Sequence, residues 1–244
     1  MMANSKIEWT NKSWNPVTGC SKVSEGCRHC YAEVMARRLK AMGQIKYENG
    51  FQVTTHEESL MEPFKWHKPQ MIFVCSMGDL FHEKVPDVFI DKVMDTIEKT
   101  PQHRYQLLTK RAERMTKYFS NHPIPHNAWL GVTVECKSSI KRIDFIRNLD
   151  ASVKFLSCEP LVEDLGCIDL TGINWIIVGG ESGMQARPMK EKWALNVKQQ
   201  AENMNIPFFF KQWGTWGADG IKRNKHVNGK LLEGKIIQEL PKFK

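Results

Sequence analysis

Three cysteines near the N-terminus are the residues of this 244-residue chain best suited to chemistry. Cys20, Cys27 and Cys30 follow the spacing C-x6-C-x2-C on one short stretch. A structural zinc site is closed by four protein ligands, whereas a [4Fe-4S] cluster held by three thiolates keeps one iron open to a molecule that reacts. The spacing therefore favours an iron–sulfur enzyme with these three cysteines as metal ligands.

Two other interpretations of the same cysteines are open. With His29 or another residue as fourth ligand, they would hold a zinc ion and stabilise a nucleic-acid-binding protein that has no redox chemistry. Without a metal they would be core thiols, because unligated cysteine is often buried. We interpret the other four cysteines as core thiols, although Cys158 lies beside Glu159, where it could quench or transfer a radical.

The composition is that of a globular protein. Hydrophobic residues make up 41% and charged residues 25% of the chain, which suits one large domain or two small ones. The first ten residues lack an apolar run and no stretch is long enough to span a membrane, so we expect a cytoplasmic protein without a membrane partner. The odd count of seven cysteines, without an export signal, argues against disulfides.

The net charge of +8 is concentrated near the C-terminus. Residues 187–244 contain 12 Lys and Arg against 5 Asp and Glu, a net charge of +7. Such a segment attracts phosphate backbones, so it predicts a nucleic-acid partner. The alternative is a solvated tail that keeps the protein soluble.

Short β-rich runs alternate with amphipathic stretches along the chain. Several runs are dense in Val, Ile and Phe without alternation, as expected of strands buried on both faces. The eight predicted strands are Trp14–Thr18, Phe51–Thr55, Met71–Ser76, Tyr105–Thr109, Trp129–Val134, Val153–Ser157, Trp175–Val178 and Pro207–Lys211. The five predicted helices are Tyr31–Met42, Pro86–Lys99, Lys110–Ser120, Ser138–Asn148 and Lys190–Met204. One face of the second helix is predicted to hold Val88, Phe89, Val93, Met94 and Ile97.

The alternation of strands and helices implies a parallel sheet with right-handed crossovers. We therefore predict an α/β fold, a (βα)8-type or partial TIM barrel with parallel strands, over residues 1–211. A doubly wound open sheet is the competing architecture. Residues 212–244, rich in Gly, Lys and Trp, are predicted to form an extension packed on the barrel, with a hairpin around Asn228-Gly229.

The residues around the cysteines resemble a known family. The segment Asn15-Pro16-x-x-Gly19-Cys20, followed by Gly26-Cys27-x-x-Cys30-Tyr31-Ala32, is similar to the cluster loop of radical S-adenosylmethionine (SAM) enzymes, above all their spore photoproduct lyase-like branch. Ser76–Phe81 and Leu107–Arg111 are similar to strand ends of that branch. Over nearly its whole length the chain also resembles a phage-associated, uncharacterised three-cysteine family, which shares the W-N-P-x-x-G-C start and the late V-G-G-E-S-G and K-Q-W-G segments.

The resemblance implies an enzyme that holds a [4Fe-4S] cluster, binds SAM and cleaves it to a 5′-deoxyadenosyl radical, which abstracts hydrogen from a substrate. It also implies a reductant protein such as flavodoxin or ferredoxin, and a nucleic acid or nucleotide as substrate. Two features differ from the radical SAM pattern. Six residues instead of three separate Cys20 from Cys27, and Gly179-Gly180-Glu181 lies too late in the chain for the role of the family's Gly-Gly-Glu segment.

The other predicted site residues follow predicted strands, where both competing architectures bind ligands. The predicted catalytic residues are Asp79, which matches the family's aspartate, and Glu159, a carboxylate at a buried position that needs a partner. Contacts to the adenine, carboxylate or ribose of SAM are assigned to Tyr31, Asp79, Lys110 with its neighbour Arg111, Glu135 and Glu181. Cavity-lining positions are assigned to Lys211, Gln212 and Trp213. A hydrolase that binds a divalent metal through Asp79, Glu159 and Glu181 is the remaining alternative.

Overall fold

The structure is a computed structural model that describes residue 5 and residues 7–242. The strands in this part of the chain are β1 (Lys12–Trp14), β2 (Val17–Thr18), β3 (Thr54–Thr55), β4 (Met71–Val74), β5 (Arg104–Thr109), β6 (Ala128–Thr133), β7 (Lys154–Cys158), β8 (Trp175–Gly179), β9 (Phe208–Gln212), β10 (Leu231–Leu232) and β11 (Lys235–Ile236). The α-helices are α1 (Tyr31–Ala41), α2 (Asp87–Glu98), α3 (Ala112–Phe119), α4 (Arg142–Arg147), α5 (Glu191–Asn203) and α6 (Lys225–Asn228).

Seven of these strands form one parallel sheet, with the order β1-β4-β5-β6-β7-β8-β9. In its register Trp14 pairs with Val74, and Val74 pairs with Leu107. Further along, Cys158 pairs with Val178. Helices follow the strands along the chain, so the predicted α/β fold of the partial TIM-barrel type is confirmed.

One predicted strand lies outside this sheet, and another is only partly in it: of the predicted strand Trp14–Thr18, Trp14 ends β1 of the sheet, whereas Val17–Thr18 form β2. Within Phe51–Thr55 only β3 is extended, and it pairs antiparallel with β2 instead of joining the parallel strands. The backbone just before β3 has another partner, because the carbonyl of Phe51 accepts a hydrogen bond from Cys20 N at 3.3 Å. The sheet therefore has seven strands instead of the eight that were predicted.

The chain divides into two compact units. Of the described residues, the first unit contains those of 7–23, 30–131 and 149–152, and the second contains 24–29, 132–148 and 153–242. In the first unit, Trp14 and Tyr105 are buried with ring centroids 5.7 Å apart. In the second unit, Phe155 and Trp175 are buried with the same centroid separation of 5.7 Å. Each unit thus has its own aromatic core.

The apolar face of α2 differs from the prediction at one residue. Val88 is 67% exposed, whereas Ile90 is fully buried. The buried stripe follows the helical spacing i, i+3, i+4, i+7 from Ile90 through Val93, Met94 and Ile97. Val88 was wrongly included because it precedes this stripe and turns to the outer face.

The C-terminal segment extends the sheet edge at β9. Phe210 N donates to Ile237 O at 2.7 Å, and Glu239 N donates to Phe208 O at 3.1 Å, so the backbone groups of β9 on this side are paired. No helix among the described residues is long and apolar enough to cross a membrane.

The predicted hairpin exists, but its position was wrong. β10 and β11 pair antiparallel, and their turn is formed by Glu233 and Gly234, with φ values of 51° and 74°. Two consecutive residues with positive φ suit the twist of a tight hairpin. Asn228 instead ends α6, and Gly229, with φ 68°, caps that short helix.

Gly19, the residue before the first cysteine, stands at a close crossing of two backbone segments. Its φ is +80°, and a Cβ atom added there would lie 2.1 Å from the carbonyl oxygen of Gln52. Both observations require glycine, because L-residues avoid this φ and no side chain fits in this space.

We predict that Gly19→Ala lowers the free energy of unfolding by at least about 2 kcal/mol more than Gly43→Ala. Gly43 has a φ of +70° with nothing within 4 Å of an added Cβ, so both variants carry the cost of positive φ and only Gly19→Ala adds a clash. Urea denaturation of both variants measures the difference. Equal losses of stability would contradict the close crossing.

Candidate functional site

The backbone around Cys20 is fixed by hydrogen bonds to neighbouring segments of the first unit. Gly19 N donates to Met77 O at 2.9 Å, and Cys20 N donates to Phe51 O. The Asn15 side-chain oxygen accepts a further bond from Met77 N at 2.9 Å. The residues of the Asn-Pro-x-x-Gly-Cys motif therefore hold the chain against the turn that follows β4, and this places Cys20.

Each of the three cysteines of the motif is partly exposed to solvent. Cys27 ends a short 3₁₀ turn, and Cys30 directly precedes α1. By contrast, Cys75 and Cys158 are buried, and burial raises the pKa of both thiols above the ordinary value. A thiol must lose its proton to bind a metal, so the partly exposed cysteines are the ones suited to it.

The four cysteines outside the motif do not all behave alike. Cys75, Cys136 and Cys158 are buried, as core thiols should be, but Cys167 is exposed, so that interpretation was wrong for Cys167. All seven cysteines lie in the described part of the chain, and none of them is in a disulfide.

The donor set of the cysteine loop fits an iron–sulfur cluster. Three partly exposed thiols outside any disulfide lie within eleven residues of chain, from Cys20 to Cys30, and thiolates are the ligands that such clusters take. Within residues 7–242, no three His, Cys, Asp or Glu side chains are gathered as a metal ion would require.

Asp79 ties the end of β5 to the turn after β4. Its carboxylate oxygens lie 2.7 and 2.9 Å from Thr109 Oγ1, and they accept bonds from Phe81 N at 3.0 Å and from Lys110 N at 3.3 Å. Asp79 is 6% exposed, so these four contacts satisfy a buried charge. In this arrangement Asp79 positions Lys110, and a direct contact of either residue with a cofactor stays a prediction.

Tyr31 opens α1 directly after the last cysteine. Its hydroxyl donates to Ser76 O, at the end of the segment that follows β4, and the side chain is 56% exposed. The hydrogen bond ties the Tyr31 side chain to the segment that follows β4. Packing of this ring on an adenine stays a prediction.

A group around Ser21 was missed by sequence reasoning. Ser21 Oγ lies 2.8 Å from His82 Nε2, and it accepts a bond from Arg111 Nη2, also at 2.8 Å. Arg111 Nε pairs with Glu83 at 3.2 Å. No short motif links residues that are 61 and 90 positions apart, although Arg111 itself had been considered for a SAM contact.

In the second unit, Glu181 and Arg187 form a half-buried pair that reaches the cysteine loop. Arg187 donates to Glu181 from Nε at 3.0 Å and from Nη2 at 2.8 Å, and the same guanidinium donates to Glu25 O at 2.9 Å. Burial would raise the pKa of Glu181, but the hydrogen bonds and charge of Arg187 outweigh burial and hold this pKa below its ordinary value. Arg187 was not singled out from the sequence, and it holds Glu25 two residues before Cys27.

Glu159 and Lys211 meet next to Gly179. Lys211 Nζ lies 2.5 Å from Glu159 Oε2, with the two side chains 18% and 15% exposed. A Cβ on Gly179 would lie 3.2 Å from Glu159 Cγ, so the glycine at the end of β8 leaves room for the carboxylate. Glu159 Oε1 is buried and has no hydrogen-bond partner in the described part of the chain. A buried acceptor of this kind suits a ligand that donates a hydrogen bond.

Glu135 is fully buried in an ion pair. Arg142 Nη1 lies 2.7 Å from its carboxylate and also donates to Thr133 O at 2.7 Å. Removing one partner of such a pair typically costs about 3–5 kcal/mol, against about 0–1 kcal/mol for a surface pair. These contacts support a structural role for Glu135, and its predicted contact with a cofactor stays a prediction.

The structure brings several of the predicted residues together. In the first unit, Asp79 and Lys110 are in contact. In the second unit, Glu159 and Lys211 form a pair, and the charges of Glu159 and Glu135 both act on the buried Cys158 thiol. Trp213 does not line a cavity, because it is 2% exposed and packs on Phe210 with ring centroids 5.1 Å apart.

Comparison with known proteins gives a family and a fold. The family model described as "Protein of unknown function (DUF5131)" matches residues 4–241. No curated protein matches the chain.

Among solved structures, spore photoproduct lyase is similar. A variant with dinucleoside spore photoproduct has a TM-score of 0.51 at 10% identity, over 83% of this chain and 63% of that chain. A second variant has a TM-score of 0.48 at 10% identity, over 91% and 70% of the two chains. A third, with bound AdoMet and dinucleoside spore photoproduct, has a TM-score of 0.42 at 10% identity, over 78% and 60%. The chain thus spans 63% of the length of the first lyase chain, and that likeness shows the fold.

We predict that Glu181→Gln lowers the melting temperature at pH 7, and that its difference from the unchanged protein shrinks in acid. Because the pKa of Glu181 is lowered in the folded state, its contribution is complete above the ordinary value of 4.5 and is lost as the pH falls through the lowered pKa. Melting temperatures between pH 7 and pH 3 measure this.

Glu98→Gln, at an exposed residue at the end of α2, is the matched control and should change little at any pH. A Glu181→Gln difference that stays constant down to pH 3 would contradict the pairing with Arg187.

Proposed function

The chain belongs to the DUF5131 family of proteins of unknown function, and we propose that it is a radical SAM-type iron–sulfur enzyme. The observation that carries the proposal is the loop of three partly exposed thiols at Cys20, Cys27 and Cys30, outside any disulfide, which follows β1 of the parallel sheet and the short strand β2. In barrel folds of this type, ligands bind where strands end, so the loop stands where a cofactor is expected.

The three cysteines would hold a [4Fe-4S] cluster, and SAM would bind to the iron that they leave open. When bound and reduced, this pair of cofactors supplies a 5′-deoxyadenosyl radical, which abstracts hydrogen from a substrate. The protein's own residues would bind and orient the cofactors and the substrate, and they would keep water out of the site. A reductant protein such as flavodoxin or ferredoxin is part of the proposal, because the cluster needs an electron.

The second unit offers the proposed catalytic carboxylate. Glu159 is held by Lys211 through Oε2, while its buried Oε1 still needs a donor, and a ligand hydroxyl or amine would satisfy it. Glu181 is occupied by Arg187. The side chain of Glu135 is fully buried beside Arg142, whereas the side chain of Glu159 is 15% exposed and within reach of a ligand. Among the three carboxylates predicted in this unit, Glu159 therefore fits substrate contact best.

A nucleic acid or nucleotide is the proposed substrate. A groove of about 500 Å³ in the second unit is lined by the turn Ser182–Met184, by Thr215 and by the basic segment 222–226. Lys222 and Lys225 are exposed there, although Lys222 Nζ also donates to Met184 O, and Arg223 is paired with Asp219 at 2.6 Å. The net charge of +7 over residues 187–244 supports attraction of phosphates. A structure of the similar lyase holds a dinucleoside photoproduct, which agrees with a substrate of this class.

We expect protein reconstituted without oxygen to be brown, with absorbance near 400 nm and about four irons per chain, and to form 5′-deoxyadenosine from SAM with dithionite. Cys20→Ala, Cys27→Ala and Cys30→Ala should each lose the absorbance and the product. Cys167→Ala, at an exposed cysteine outside the motif, should keep both. Glu159→Gln, which changes the proposed substrate contact and no cluster ligand, should keep the absorbance.

Two results would overturn the proposal. A full cluster that forms no 5′-deoxyadenosine would remove the SAM part. Colourless protein with about one zinc per chain would point to the zinc-stabilised nucleic-acid-binding protein instead.

We predict salt-dependent binding of a single-stranded DNA oligonucleotide by the intact protein. A plot of the logarithm of affinity against the logarithm of salt concentration has a negative slope. Lys222→Ala and Lys225→Ala should each make this slope less steep by roughly 1. Lys117→Ala, at an exposed lysine of α3, is the control and should leave the slope unchanged. Fluorescence anisotropy measures the affinity. A slope unaffected by both groove variants would exclude the groove as the binding surface.

A further inference from the structure

The side-chain oxygen of Ser21, the residue after the first cysteine, has two hydrogen-bond partners. His82 Nε2 and Arg111 Nη2 each lie 2.8 Å from Ser21 Oγ. His82 is 1% exposed, and Arg111 Nε forms an ion pair with Glu83, so both side chains that contact Ser21 are themselves fixed in position. Ser21 is exposed, although its oxygen is anchored by buried groups.

The hydrogen bonds of His82 decide the direction of these contacts. His82 Nδ1 accepts a bond from Lys84 N at 3.1 Å, so the neutral ring carries its proton on Nε2 and donates it to Ser21. Arg111 can only donate. Ser21 Oγ thus accepts two bonds, and its own proton is left to be donated.

The same directions exclude a nucleophilic role for Ser21. A general base must accept the serine proton, and His82 Nε2 is already a donor in this tautomer. Two donated bonds, one from a cation, also reduce the nucleophilicity of the oxygen. What this arrangement supplies is a polarised hydroxyl donor next to Cys20.

The backbone brings Arg111 close to the cysteine as well. The Cys20 thiol lies 3.4 Å from Ser21 O, and Arg111 Nη2 lies 3.5 Å from the same oxygen. When Cys20 becomes a thiolate it can no longer donate to this carbonyl, and the guanidinium remains as its donor. Arg111 therefore lies within hydrogen-bond distance of both the side-chain oxygen and the backbone carbonyl of Ser21, the residue that follows the proposed ligand Cys20.

We propose that Ser21, held by His82 and Arg111, is a positioning residue and hydrogen-bond donor that tunes and retains the cluster bound through Cys20. The inference rests on the proposed function. Hydrogen bonds to the sulfurs and nearby positive charge stabilise the more negative, reduced cluster, so both raise its reduction potential. Partners just outside the ligands also typically strengthen metal binding by roughly 10- to 100-fold.

The test uses the full chain, reconstituted without oxygen and free of SAM and substrate. Ser21→Ala and Arg111→Ala should shift the midpoint potential, followed by electron paramagnetic resonance, to more negative values. Both variants should lose iron to a chelator roughly 10-fold faster than the unchanged protein. Ser21→Thr, which keeps the hydroxyl, and Arg111→Lys, which keeps the charge, should restore the potential.

Arg104→Ala is the matched control, because Arg104 begins β5, the strand whose far end leads to Arg111. It should change neither the potential nor the rate of iron loss. If Arg111→Ala does not fold, Ser21→Ala decides alone, since Ser21 is exposed and its loss leaves the core intact.

The outcomes separate this inference from the proposed function. An unchanged potential and an unchanged rate of iron loss in Ser21→Ala, in protein with a full cluster, would overturn the inference and leave the proposed function standing. If the unchanged protein forms no cluster at all, the proposed function fails and the inference falls with it.

Discussion

The close crossing of Gly19 over Gln52 sets where the cysteine loop begins. Without a side chain, Gly19 brings its backbone so near the Gln52 carbonyl that an added Cβ would lie 2.1 Å from it. The same segment bonds to Met77 O and Phe51 O, which removes Phe51 from any sheet strand. A loop without regular secondary structure is positioned only by contacts of this kind, and a proposed metal ligand that lies about 1 Å out of place would bind its metal poorly. The position of Cys20 follows from this constraint.

Buried charge is distributed unevenly among the carboxylates of the second unit. Glu135 has its ion pair with Arg142 in full burial, and Arg187 donates to both carboxylate oxygens of Glu181. Glu159 has Lys211 on one oxygen and nothing on the other within the described residues. A buried acceptor without a donor is costly, and the side chain of Glu159 is 15% exposed whereas that of Glu135 is fully buried. Glu159 is therefore the carboxylate whose hydrogen bonds a ligand would complete.

The fold and the chemistry rest on different kinds of support. A parallel α/β sheet is shared with spore photoproduct lyase at 10% identity, and many unrelated activities occur on such folds. The proposed chemistry instead depends on the three thiols, whose type and spacing are typical of metal ligands. The long spacing between Cys20 and Cys27 has a structural counterpart, since Ser21 and Glu25 within it each bond to an arginine.

The sequence by itself determined the elements, and only the tertiary structure decided their partners. Apolar periodicity predicted the five helices α1 to α5 to within four residues at either end and six of the eight strands, because burial leaves a local pattern. The run Phe51–Thr55 had a strand's composition, but its hydrogen bonds went to the cysteine loop. The cysteines stood out by type and spacing. The surroundings of the cysteines could not be predicted, because Ser21 bonds to Arg111 at a separation of 90 residues and Glu25 bonds to Arg187 at a separation of 162. Such contacts depend on the order and register of the strands in the sheet.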